Sequence, residues 1–81
     1  MANIIIISVE KRKTSAVPVQ KLLTQAGCII KTRLGIHDSP GDTCSDKGLI
    51  IIEVVACAKE IKSLFSSIKS VRGVKAKLVK I

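Results

Sequence analysis

The side chains with the most chemical capacity crowd into one short stretch. His37, Asp38, Asp42, Cys44 and Asp46 occur within ten residues, and Cys57 follows downstream. A thiolate with an imidazole and carboxylates suits zinc or another late transition metal. The spacing matches no closed zinc pattern, because there is no CxxC pair and His37 is the sole histidine. His37, Asp38 and Cys44 are the candidate metal ligands, and no resident cofactor is expected. The plainer reading is that His37 and Asp38 end a strand and hydrogen-bond the turn after it, as Asp commonly does. Cys57 is expected at the far end of the following strand, where one chain does not easily bring it to Cys44. Free cysteine packs like a small apolar residue, which leaves Cys44 as the expected exposed thiol and Cys28 and Cys57 without a required role.

Arg33 and Glu53 form a second pair of interest. Glu53 is the lone charge in an apolar run, so it needs a partner if buried. The two residues fall on strands expected to be adjacent, and the favoured reading is a structural ion pair. The functional reading is a polar anchor in a ligand cleft or interface. Two basic groups stand out as well, Lys11-Arg12-Lys13 and the set Lys59, Lys62 and Lys69. They suit a polyanion such as nucleic acid, or simply a solvated face. Catalysis has no support, since no base is placed near a nucleophile. The chain reads as a non-enzyme.

These side chains need a scaffold, and the hydrophobic pattern supplies one. Asn3 to Val9 is β-branched and apolar on both faces, so it reads as a central strand. Thr14 or Ser15 can cap a helix, with Pro18 tolerable only in its first turn. Ala16, Val19, Leu22, Leu23 and Ala26 recur at helical spacing up to Gly27, giving a helix over roughly Ser15 to Ala26. Cys28 to Ile36 mixes apolar and charged residues and suits a sheet edge. A Pro-, Gly- and Asp-rich loop from His37 to Lys47 precedes Gly48 to Ala56, a second strand apolar on both faces. Ile61, Leu64, Phe65, Ile68 and Val71 then form one helical stripe, closed by Gly73. Val74 to Lys80 alternates like an edge strand guarded by lysines.

The order βαββαβ is that of a ferredoxin-like α+β sandwich, with a four-stranded antiparallel sheet and two helices on one face. Right-handed crossovers put the first and third strands in the middle. The 81 residues leave room for one domain, 1–81, and none for a separate DNA-binding segment. Of these residues 47% are apolar, yet Phe65 is the only aromatic, so the core must be aliphatic. That content excludes a disordered chain. No apolar stretch is long enough to span a bilayer, so no membrane partner is expected. An odd count of three cysteines with no signal peptide points to the cytoplasm. The net charge of +8 divides evenly, +4 in residues 1–40 and +4 in residues 41–81.

Two helices cover one face of the sheet. On the first strand Ile4 and Ile6 oppose Ile5 and Ile7, and on the third Leu49, Ile51 and Val55 oppose Ile50, Ile52 and Val54. One set meets the helices and the other is left facing water. An exposed aliphatic face of that kind marks an interaction site. A homo-oligomer is therefore expected, packed through the sheet face or edge. The alternative is a monomer whose loop from His37 to Lys47 folds over the face. RNA-binding sheets of this fold present aromatics for base stacking, and this sheet has none, so nucleic acid is the less favoured partner.

From Arg33 onward the chain carries a resemblance. The segment Arg33-Leu34-Gly35-Ile36-His37-Asp38, the strand Gly48-Leu49-Ile50-Ile51-Ile52-Glu53 and the ending Gly73-Val74-Lys75-Ala76-Lys77 resemble the small stand-alone iron-only hydrogenase system regulators. That family has an ACT-like fold similar to the ligand-binding half of nickel-responsive repressors. The resemblance implies an oligomeric sensor or regulatory module and no known reaction. Many amino-acid-binding ACT domains carry an Asp-x-Pro-Gly turn after the first strand; here that connection is Glu10-Lys11-Arg12-Lys13-Thr14-Ser15, and Pro40-Gly41 lies in the middle loop instead. The expected function is an ACT-like module binding a small ligand near a subunit interface. Its expected ligand-binding residues are Arg33, Gly35, His37, Asp38, Gly48 and Glu53. The other readings are a polyanion-binding basic surface and a metal at the middle loop.

Overall fold

A computed structural model describes residues 2–37 and 47–81, with the backbone alone for Arg12, Lys13, Ile36 and His37. The elements follow the order β1 (Asn3–Val9), α1 (Arg12–Gln25), β2 (Ile30–His37), β3 (Gly48–Val54), α2 (Ala58–Lys69) and β4 (Val74–Lys80). The strands form one antiparallel sheet in the order β2-β3-β1-β4. This is the expected ferredoxin-like α+β arrangement. The isoleucine-rich β1 and β3 stand in the centre because stiff β-branched side chains fill both faces of a pleated surface. The lysine-bearing β4 and the mixed β2 take the edges.

The register sorts each strand into two faces. Ile5, Ile7 and Val9 of β1 and Ile50, Ile52 and Val54 of β3 are buried under the helices. Val19 and Leu23 of α1 and Ile61, Leu64 and Ile68 of α2 close over them. Every member of this core is aliphatic. Phe65 lies half-buried at its margin, with Lys69 Nζ 5.1 Å from the ring centroid. On the opposite face the pairing builds three complete rows. The first runs Thr32, Glu53, Ile4, Val79, the second Leu34, Ile51, Ile6, Lys77, and the third Ile36, Leu49, Ser8, Lys75. The four central members of the second and first rows, Ile4, Ile6, Ile51 and Glu53, are half-buried without any helix above them, and Leu34 is 51% exposed.

α1 begins earlier than expected. Its N-cap is Lys11, with no side-chain cap, and Pro18 lies inside the helix rather than in its first turn. The reason is that Ser15, an expected cap, is buried and spends its hydroxyl elsewhere: Ser15 Oγ donates to the Arg72 carbonyl at 2.6 Å. Thr14 Oγ1 donates back to the Lys11 carbonyl at 3.3 Å, so the polar side chains brace the turn from within. α2 runs as expected, except that Val71 falls beyond its end, in the turn to β4.

Ile52→Ala is expected to lower the unfolding free energy by about 3 kcal/mol, as a large-to-small change in a closed core does. Ile51→Ala, one residue away on the uncovered face, should cost less than half as much in the dilute chain. Urea unfolding of both variants at low protein concentration checks the sorting of faces.

Candidate functional site

One end of the sheet gathers the polar connections. β1 and β2 finish there and β3 and β4 begin there, with His37 paired to Gly48, Gly48 to Val9 and Val9 to Val74. Glu10 and Lys11 lead into α1, Lys47 leads into β3, and Ser70 to Gly73 lead from α2 into β4. The backbone N–H of Glu10 donates to the Gly73 carbonyl at 2.9 Å. Gly73 has φ +80°, a conformation that L side chains rarely adopt. A Cβ there would also lie 2.9 Å from Ser15 Oγ. Ser15, Arg72 and Gly73 therefore lock the start of α1 against the end of α2 in a close approach that only glycine permits.

Beside this lock opens a cleft of about 660 Å³, bordered by Lys11, Thr14, Ser15, Pro18, Arg72 and Gly73. Its two charged walls, Lys11 and Arg72, come from different connections and have the same sign. The nearest described carboxylate is turned away. Glu10 takes a hydrogen bond from Ser8 Oγ at 3.4 Å and lies 4.0 Å from Lys47 Nζ, on the side of the uncovered sheet face. That ion pair is largely exposed and contributes little to stability. Two cations, a hydroxyl and an uncapped helix start around one cleft suit an anionic ligand.

The expected ligand residues separate into two groups. Gly35, His37 and Gly48 stand at or next to this polar end. A Cβ added at Gly35 would meet nothing within 4 Å. Asp38 and Cys44 lie outside the described residues, and so does the metal reading that needs them. Among the described residues no three metal-ligating side chains cluster. Arg33 and Glu53, by contrast, do not form the expected ion pair. Glu53 stands on the uncovered face and accepts a hydrogen bond from Thr32 Oγ1 at 3.3 Å. Arg33 is paired with Ile52 and so belongs to the helix-side face of the exposed edge strand. The cause is a bulge between Ile30 and Thr32. One extra residue reverses the alternation of everything after it, and it turns Arg33 from the face of Glu53 to the opposite one.

The cysteines also depart from expectation. Cys28 and Cys57 are both exposed, near the other end of the sheet, rather than packed. Cys57 is the N-cap of α2, and its thiol donates to Glu60 Oε1 at 3.2 Å. Sequence reasoning selected Lys11 only within the basic group Lys11-Arg12-Lys13, and Arg72 not at all; nothing in it joined the two. Their only signal was the Gly73 expected to close α2, since a glycine forced by φ marks a close approach of another segment.

No family model matches the sequence, and no curated protein matches it significantly. The fold has solved counterparts. An uncharacterized protein of Thermotoga maritima superposes with a TM-score of 0.82 at 23% identity, over 96% of this chain and 92% of that one. A nitrogen regulatory PII-like protein from Thiomonas intermedia, bound to ADP, AMP and bicarbonate, gives 0.60 at 13% identity, over 100% and 93%. The periplasmic divalent cation tolerance protein CutA from Archaeoglobus fulgidus gives 0.57 at 14% identity, over 100% and 84%. The chain thus shares the small ferredoxin-like fold of PII-like and CutA proteins. Among the described residues no helix is long and apolar enough to cross a membrane.

The lock between the two helices is open to test. Gly73→Ala is expected to lower stability by about 2 kcal/mol, from the left-handed φ and the crowded hydroxyl. Ser15→Ala should cost about 1 kcal/mol. With the hydroxyl gone, the penalty of Gly73→Ala should fall by about 1 kcal/mol, a coupling that a double-mutant cycle in urea measures directly.

Proposed function

We propose that this chain is a non-enzymatic regulatory module of the iron-only hydrogenase system regulator type. It works in the cytoplasm as a homo-oligomer packed through its uncovered sheet face, and it binds a small anionic ligand at the polar end beside that interface. The observation that carries the reading is the aliphatic face of Ile4, Ile6, Leu34 and Ile51, which no described element covers. In a lone chain these side chains meet water, and a contiguous aliphatic patch is favourably buried against another copy. The fold shared with PII-like and CutA proteins supports a small regulatory role. The PII-like counterpart holds nucleotides and bicarbonate, all anions.

The ligand residues in this reading are Gly35, His37, Asp38 and Gly48, joined by Lys11 and Arg72 from the cleft. Glu53 belongs instead to the packing face. A ligand at the polar end touches the connections that fix β1, β3 and β4, so it can favour one subunit arrangement over another. It does so only to the extent that it binds the two arrangements with different affinity.

Native mass spectrometry and sedimentation should give a mass that is a multiple of the 8.7 kDa chain. Ile51→Glu is expected to yield a folded monomer. ADP, AMP and bicarbonate are the first ligands to assay by thermal shift. Gly35→Ala has room for its methyl and should leave the melting temperature of the bare protein unchanged while reducing the ligand-induced shift. A particle of single-chain mass that no anion stabilises would overturn the reading.

A further inference from the structure

The sequence divides its positive charge evenly, but the fold does not. Lys62 and Lys69 of α2, Arg72 of the turn, and Lys75, Lys77 and Lys80 of β4 are all exposed along the flank where α2 meets the edge strand. Lys62 and Lys80 border one small cleft with Ile61 and Leu78, which joins the helix charges to the strand charges. Of the described carboxylates, Glu10 faces Lys47, Glu53 is tied to Thr32 next to β2, and Glu60 borders the groove between α2 and α1. Six cations thus line the β4 edge, Lys62, Lys69 and Lys80 from the helix side, Lys75 and Lys77 from the face of Ser8 and Ile6, and Arg72 from the turn, with Glu10, hydrogen-bonded to Ser8 opposite Lys75, at their margin. A surface shaped only for solubility mixes its signs, because a single-sign field repels itself.

We propose that this flank binds the phosphate backbone of double-stranded nucleic acid, without reading its sequence. The dimensions agree. β4 is about 23 Å long and α2 about 18 Å, at roughly 3.3 and 1.5 Å per residue. Such a length spans about six base pairs, which present on the order of twelve phosphates. Lys75 and Lys77 are two residues apart on an outermost strand, about 6.7 Å along it. The residue types favour nucleic acid over an acidic protein. Protein interfaces are depleted in lysine and anchored by aromatics, whereas this flank is lysine-rich and its sole neighbouring aromatic, Phe65, sits at the core margin under Lys69. They also favour duplex over single strands, which need aromatic platforms for stacking. Lys75 and Lys77 stand at the β4 margin of the Ile51 face, and Lys62, Lys69 and Lys80 stand on the helix side of that edge; binding here does not depend on the ligand reading above.

Fluorescence anisotropy with a labelled 20-base-pair duplex of random sequence tests the proposal across 50–300 mM salt. The logarithm of the association constant should fall linearly with that of salt, with a slope of about −5. The variant Lys75→Gln/Lys77→Gln should reduce the slope by about 2, and so should Lys62→Gln/Lys69→Gln. Lys21→Gln/Lys31→Gln removes the same charge from the α1 and β2 side and should leave the slope unchanged. Circular dichroism verifies each fold, and the helix and strand pairs stand in for one another if either variant misfolds. Equal losses in all three variants, no binding at 50 mM salt, or displacement by poly-glutamate as readily as by duplex would each overturn the proposal.

Discussion

The ladder between β1 and β3 carries the whole structure. Both strands are aliphatic on both faces, and they pair residue for residue from Asn3 with Val54 to Val9 with Gly48. A pair of this kind cannot lie at an edge, where half of its side chains and one row of backbone groups would meet water. It must be flanked by strands and covered by layers. β2 and β4 supply the flanks, and the helices supply one layer. The stiffness of isoleucine and valine lets this be done without aromatics, because β-branched side chains lose little further freedom when packed on a pleat. The price is a second aliphatic face that two helices cannot reach.

From that central pair the polar chemistry is pushed outward along two directions. One leads to the end of the sheet where three connections converge. There the Ser15 hydroxyl, the Arg72 carbonyl and the left-handed Gly73 hold α1 and α2 together, and Lys11 and Arg72 face a common cleft. The other leads to the β4 side, where lysines protect an open edge from mispairing. Lys80 meets Lys62 of α2 on the helix side of that edge, and Lys75 and Lys77 stand on its other side.

How legible this was in the sequence follows from the range of the interactions involved. β1 and β4 were readable to the residue and β3 to within two residues of its end at Val54, since alternation and β-branching are local properties. The α2 stripe of Ile61, Leu64 and Ile68 was equally plain. The start of α1 was not, because Ser15 looks like a cap until its hydroxyl is seen bonded to a carbonyl far along the chain. The Arg33–Glu53 pair failed for a subtler reason. Both strands were correctly placed side by side, but a single bulged residue near Lys31 put the two charges on opposite faces. The basic cleft was invisible because Lys11 and Arg72 are brought together only by the topology. The lysines of α2 and β4 were each visible, and their merger into one flank was not.

The strand order also has a temporal side. β1 leaves the ribosome well before its partners, β3 and β4. At roughly 5–20 residues per second, several seconds separate the synthesis of Val9 from that of Val54. During that interval a run of four isoleucines has no sheet to join, and short β-prone apolar segments in that condition aggregate. The charged cluster Glu10-Lys11-Arg12-Lys13 directly behind the run therefore has a duty before folding is complete. Charges flanking a β-prone run oppose its pairing with other chains. Part of the sequence around the polar end thus bears on how the chain is born as well as on the finished fold.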